Sequence, residues 1–274
     1  MVSRASPSPT IFRFAAGGFD AVDDGDLAHA RVLVSDSWVV DDGRTLALPL
    51  HLSRFGDSVI ATDQSLAPDL DDFLASVLGR IPIEGTWFPR VELVELLHPR
   101  GAAGFFYRER TAPQRHRSVR LATLRSPDPR RYPTVKGPDL ERLLAARTSV
   151  QSSGADEAVI LSPNGFIVEG AYSALLWWRG DTLCLPDRGF ARIDSVTSRS
   201  IVALATARGT DVSYEAVAPA DLAGLEVWAA SALHGIRIAT HWVDGPALAE
   251  RPGRLAAWRG ALDKLTRPIA TLNA

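Results

Sequence analysis

Apolar and polar residues alternate along most of this chain with the two-residue period of half-buried strands, broken in a few places by the wider spacing of helices. ARVLVSDSWVVDDGRTLALPL, from Ala30 to Leu50, reads as two strands joined at Asp-Asp-Gly, with Val32, Val34, Val39 and Val40 as β-branched positions. APDLDDFLASVLGRIP is an amphipathic helix with Asp69 or a neighbour as its cap, Leu70, Phe73, Leu74 and Val77 as its stripe and Gly79 as its end. TWFPRVELVELL, GAAGFFYRER and SVRLATLR then read as successive strands of an antiparallel sheet. RSPDPRRYPTV, with three prolines and little periodicity, is the expected interdomain linker. Beyond it, Pro138 opens a helix carrying Leu140, Leu143 and Leu144. GADEAVILSPNGFIVEG is a hairpin about a Ser-Pro-Asn-Gly turn, and strict alternation puts Glu169 on one face with Ile167. DSVTSRSIVALATARGT is a helix capped by Asp194 or Ser195 and stopped by Gly209, and AWRGALDKLTRPIA closes the chain as another. The pattern gives an α+β protein of two domains: a small α/β domain over 1–124, a linker over 125–135 and a larger β-rich domain over 136–274.

Composition narrows the function classes. At 274 residues and a formal net charge of -2 the chain has no global basic field, so nucleic acid is not an expected partner. One cysteine, Cys184, excludes an internal disulfide framework and a cysteine-built zinc site, and no metal is expected. No stretch approaches the roughly 20 apolar residues that span a bilayer, so the chain reads as soluble, cytoplasmic and without a membrane partner.

The basic residues are unevenly chosen. Of 30 lysines and arginines only Lys136 and Lys264 are lysine. An arginine-preferring chain keeps a lysine where a primary amine is required, as in a Schiff base with a carbonyl. His51 and Arg54 share a face if HLSRF is helical, where they suit an anion or a neighbouring carboxylate. Arg108, Arg110, Arg115 and Arg117 cluster where a substrate carboxylate is a natural guest. The helix start at Ser195, Thr197 and Ser198 combines hydroxyls with free N–H groups, a phosphate-binding combination that is also an ordinary helix cap.

Taken in order, HLSR, Lys136 followed about 18 residues later by Gly-Ala-Asp-Glu-Ala, the Asn-Gly hairpin ending in Glu-Gly, the helix start at Thr197 and the strand-loop ASALHGIR resemble the class IV aminotransferases. These are fold-type IV pyridoxal-phosphate enzymes, and they include branched-chain and D-amino-acid aminotransferases and 4-amino-4-deoxychorismate lyase. The resemblance implies pyridoxal 5'-phosphate as cofactor, Lys136 as its Schiff-base partner and Glu169 on the pyridine nitrogen. It places the phosphate on Arg54, on backbone groups at Val196 and Thr197, and on Ser231 or Ala232. It implies an amino-acid-type substrate, with Arg108, Arg110, Arg115, Tyr172 and His234 as candidate contacts, and a homodimer with its sites at the interface. Three places depart from the family pattern: Ala171-Tyr172-Ser173-Ala174 after Glu-Gly, Asp194-Ser195-Val196-Thr197-Ser198 before the phosphate helix, and Ala232 in place of a hydroxyl. ASALHGIR, VSDSWVV and HLSRF look more like the lyase than the branched-chain enzymes. The implied reaction is therefore elimination to pyruvate and 4-aminobenzoate. Transamination of branched-chain or D-amino acids is the alternative, and a non-catalytic family member a further one.

Overall fold

The computed structural model describes residues 9–27, 30–96 and 102–269, and within them the chain forms two units. The described parts of 1–114 and 266–274 make the first, together with the tetrapeptide Val135–Pro138; Arg115–Thr134 and Asp139–Leu265 make the second. The division differs from the one expected at 124, and most of the expected linker folds with the second unit.

The first unit includes the strands β1 (Thr10–Ala15), β2 (Gly18–Val22), β3 (Ala30–Ser37), the short β4 (Val40–Asp41), β5 (Arg44–Thr45) and β6 (Thr86–Trp87), then β7 (Arg90–Leu96) and β8 (Ala103–Glu109). An antiparallel sheet runs in the order β2-β1-β8-β7-β3. The Asp-Asp-Gly turn joins β4 to β5 with Asp42 and Gly43 both at positive φ, the backbone that a tight hairpin requires. Two helices, α1 (Leu48–Thr62) and α2 (Ala67–Arg80), cover one sheet face. Their stripe of Leu48, Phe55, Val59, Phe73 and Val77 packs on Val34, Val91, Leu93, Phe105 and Tyr107. Gly79 is passed without ending α2, whose last residue is Arg80.

A register break in β3 decides what that strand presents. Val32 pairs with Val94 and Val34 with Leu93, so one extra residue lies between them. Val32 therefore packs with Ile11, Val94 and Phe106 on the far face, whereas Val34 enters the helix-covered core. Asp36, two residues further on, shares the side of Val34 and is turned toward α1.

The second unit holds β9 (Ser118–Thr123), β10 (Glu157–Leu161), β11 (Ile167–Gly170), β12 (Ala174–Arg179), β13 (Thr182–Pro186), β14 (Val212–Glu215), β15 (Glu226–Ser231) and β16 (Gly235–Val243). Among the described residues they form one sheet in the order β11-β10-β9-β16-β15-β12-β13-β14. Here β9 runs parallel to both β10 and β16. SVRLATLR thus leaves the antiparallel series expected of it, because its partners lie far along the chain. Its helices are α3 (Leu140–Gln151), α4 (Val196–Ala207) and α5 (Arg254–Asp263). Pro138 does not open α3, which starts at Leu140, and it belongs with the first unit. Ala146 and Val150 of α3 pack on Ala158 and Ile160. The opposite sheet face buries Leu121, Val159, Ile167, Leu175 and Trp177.

β11 also carries a register break. Ile160 pairs with Glu169 but Leu161 with Ile167, so alternation fails across Val168. Glu169 therefore stands beside Ile160 on the α3 side, while Ile167 lies in the opposite core, which corrects the shared face expected from strict alternation.

Candidate active site

In the first unit Lys136 and Gly137, and His51 and Arg54 of α1, meet Ser35 and Asp36 of β3. The Ser35 N–H donates to the carbonyl of Lys136 at 2.7 Å. Gly137 has φ +133, and a Cβ there would lie 2.6 Å from Ser35 N and 2.8 Å from the carbonyl carbon of Val34, so only glycine lets the chain after Lys136 lie flat on the strand. On the helix side, Asp36 is fully buried and accepts from Arg54 Nε and Nη2, each at 2.8 Å, and from His51 Nδ1 at 2.9 Å. Burial opposes the charge on Asp36, but His51 and Arg54 hold its carboxyl well below the usual range. Burial keeps His51 below its ordinary value against the pull of Asp36, and the charges of Arg54 and Lys136 act with burial. His51 is thus a neutral imidazole donating from Nδ1.

Arg108 and Arg110 lie elsewhere in this unit. Arg108 is held by Glu92 at 2.6 Å and Asp24 at 3.2 Å. Arg110 donates to the Phe88 carbonyl and the Ser37 hydroxyl, and among the described residues no carboxylate lies within bonding distance of it. Burial lowers it to about 10, and the charges of Arg90 and Arg108 act in the same direction.

In the second unit Glu169 is 6% exposed. Arg130 donates to it in a short contact, and Arg130 is gripped from its other side by Asp128. The Ile193 N–H is a second donor to Glu169. Burial pushes this carboxyl up from 4.5 to about 7, against Arg130, the Ile193 N–H and Arg192. Arg192 in turn donates to the carbonyls of Pro186, Asp187 and Phe190, shaping the loop that leads into α4. There Ser195 caps the helix by accepting from Ser198 N, and Val196 and Thr197 are buried at its first two positions, whose N–H groups the helix leaves unpaired.

Ser231 ends β15 and its hydroxyl accepts from the His234 N–H, with Ala232 in the intervening turn. His234 is pushed down to about 3 by burial and by the nearby charges of Arg237, His116, Arg147 and Arg259, so it stays neutral. Its Nδ1 accepts from the His116 N–H. Arg115 is exposed. Tyr172 leans on α3, donating to the Leu140 carbonyl at 3.4 Å with Arg147 over its ring. Its own N–H donates to Glu157, a wholly buried carboxylate that also takes Ser173 Oγ and Arg237. The sequence alone assigns no role to Asp36, Arg130 or Glu157; a carboxylate within or beside an apolar run is the signal it offers for Asp36 and Glu157, and it offers none for Arg130.

Because the folded Glu169 binds its proton more tightly than the unfolded one, its contribution to stability is complete below about pH 4.5 and is lost as pH climbs to about 7. The thermal midpoint of the cofactor-free protein, compared with that of Glu169→Gln, should therefore lose ground across that window. A difference independent of pH would refute the raised carboxyl.

The amino-transferase class IV family model matches residues 33–242, a span that runs from β3 through Lys136, Glu169 and α4 to β16. The chain belongs to this family. Class IV aminotransferases are pyridoxal-phosphate enzymes, and pyridoxal phosphate is the cofactor of this one. Taken unit by unit, the chain offers groups of the kinds such a cofactor uses: a lysine amine and an arginine held by a carboxylate in the first, a buried carboxyl and a helix start in the second. No curated protein matches the chain in sequence. Among solved structures, this class IV chain is similar to branched-chain amino acid aminotransferase from Escherichia coli, with 17% identity over 94% of each chain and a TM-score of 0.76. It is similar to a hypothetical aminotransferase from Mycobacterium tuberculosis in a pyridoxal-phosphate-bound form, with 18% identity over 94% of this chain and 98% of that one, TM-score 0.72. A protein from Legionella pneumophila assigned as 4-amino-4-deoxychorismate lyase shares 16% identity over 88% and 93%, TM-score 0.70. At such identities the likeness speaks for the fold. Among the described residues, no helix is long and apolar enough to cross a membrane.

Proposed function

We propose that this class IV enzyme acts at the α-carbon of an amino-acid-type substrate, by elimination to pyruvate and 4-aminobenzoate. The observation that carries the α-carbon chemistry is the seating of Lys136, whose carbonyl is tied to Ser35 and whose successor Gly137 fits only as glycine. Bound pyridoxal phosphate supplies an electron sink for a bond breaking at that carbon. Lys136 would hold the cofactor through Nζ, and the same amine would serve as the base for the α-proton. Glu169 keeps a proton at the ring nitrogen, and Arg54, the N–H groups of Val196 and Thr197, and Ser231 or the backbone at Ala232 bind phosphate. Arg110, which has no carboxylate partner among the described residues, receives a substrate carboxylate, and the protein works as a homodimer. The preference for elimination rests on ASALHGIR, VSDSWVV and HLSRF.

The test is the visible spectrum of the cofactor-loaded protein while L- and D-amino acids, then aminodeoxychorismate, are added. Reaction with aminodeoxychorismate alone, releasing pyruvate and leaving the spectrum restored, supports elimination. Bleaching by amino acids with release of an oxo acid makes it a transaminase, and inertness to both overturns the catalytic reading.

A further inference from the structure

We propose that Asp36 is the positioning residue that aims Arg54 at the cofactor phosphate; this rests on the reading of Arg54 as a phosphate ligand. A phosphate-binding arginine has to present one edge of its guanidinium in a fixed plane, because its donors are a rigid planar fork. In this chain the Nε and Nη2 edge is taken by Asp36, with both bonds at 2.8 Å. The edge carrying Nη1 is thereby turned away from the carboxylate.

The clamp is held from more than one side. Asp36 is wholly buried, and its Oδ1 also takes the Ser37 N–H at 2.7 Å and His51 Nδ1 at 2.9 Å. The carboxylate is therefore held by its own strand and by α1, and Arg54 and His51 lie three residues apart on that helix. The register break in β3 turns Asp36 to this side. The same strand ties down the Lys136 carbonyl one residue earlier, so β3 sets the direction of the arginine and the seat of the lysine together.

A purely neutralising role for Asp36 makes the opposite prediction. If the carboxylate only offset the charge of Arg54, removing it would strengthen binding of an anion. If it aims Arg54, removing it weakens phosphate binding although a negative charge has gone.

The experiment titrates the full chain, freed of cofactor, with pyridoxal phosphate and with pyridoxal, which differ by the phosphate. Asp36→Asn keeps the side-chain shape but points an NH2 at the arginine donors. It should lower the ratio of the two affinities by roughly 10- to 100-fold, toward the value for Arg54→Ala, with no further fall in the double variant. A ratio unchanged or raised in Asp36→Asn while it collapses in Arg54→Ala overturns the positioning role. If Arg54→Ala itself leaves the ratio unchanged, the phosphate reading of Arg54 fails instead. Should Asp36→Asn not fold, Asp36→Glu decides: it keeps the charge and moves the oxygens by one methylene, so positioning predicts a lowered ratio and an unaltered one overturns it.

Discussion

Lys136→Arg is expected to abolish turnover while leaving the fold intact. Arginine keeps the positive charge that His51 senses, and the backbone seat made by Ser35 and Gly137 does not involve the lysine side chain. A guanidinium stays protonated, so it neither bonds covalently to a carbonyl nor takes a proton from a substrate carbon. Loss of a positioned base alone costs on the order of 10²- to 10⁴-fold, and loss of the covalent anchor adds to it. Single-turnover assays at saturating cofactor would measure the fall, with the thermal midpoint as control. Full turnover in Lys136→Arg would sink the catalytic assignment.

Glu157→Ala should be the most damaging single substitution for stability in the second unit. Glu157 lies 1% exposed and is the ion-pair partner of Arg237, whose side chain is 4% exposed. It also accepts from Tyr172 N at 3.0 Å and Ser173 Oγ at 3.1 Å, which fixes the turn after Gly170. That turn is tight: a Cβ at Gly170 would lie 2.6 Å from Ser173 Oγ. Burial raises the Glu157 carboxyl and lowers Arg237, so each needs the other to stay charged. Truncation leaves a guanidinium buried without its carboxylate and should cost about 3–5 kcal/mol. Replacing both partners with methionine should recover much of the loss, because an apolar pair of similar volume needs no charge compensation. Denaturant midpoints of the three variants would decide it; a double variant as unstable as Glu157→Ala would refute the account.

Lys136, Arg54, Glu169 and the α4 start stood out in the sequence for their type or spacing: a rare lysine, an arginine three residues from a histidine, a carboxylate at a strand end, hydroxyls at a helix start. The hairpin of β10 and β11 was equally legible, since Asn-Gly turn chemistry is local. What alternation misjudged were the extra residues in β3 and β11, for a bulge switches the faces of the residues beyond it and leaves no mark in the sequence, only in the register with the partner strand. Both breaks precede a buried carboxylate, Asp36 in one and Glu169 in the other. The pairing of β9 with β10 and β16 was likewise invisible, because parallel partners are brought together by intervening chain rather than by a turn. Arg130 sat in a proline-rich stretch that reads as a tether, and only the fold shows its guanidinium between Asp128 and Glu169.

The tetrapeptide Val135–Pro138 belongs to one unit while the residues on both sides of it belong to the other. The lysine is in effect a stitch, laid across strand β3 by chain that comes from elsewhere and leaves again. No single cut frees the first unit with its lysine, and a fragment stopping before residue 135 would carry β3, Asp36 and Arg54 with nothing for Ser35 to hold. Closing that stitch joins residues distant in sequence, an event that pays its loop entropy early and is rewarded late, so the amine should take its place among the last steps of folding.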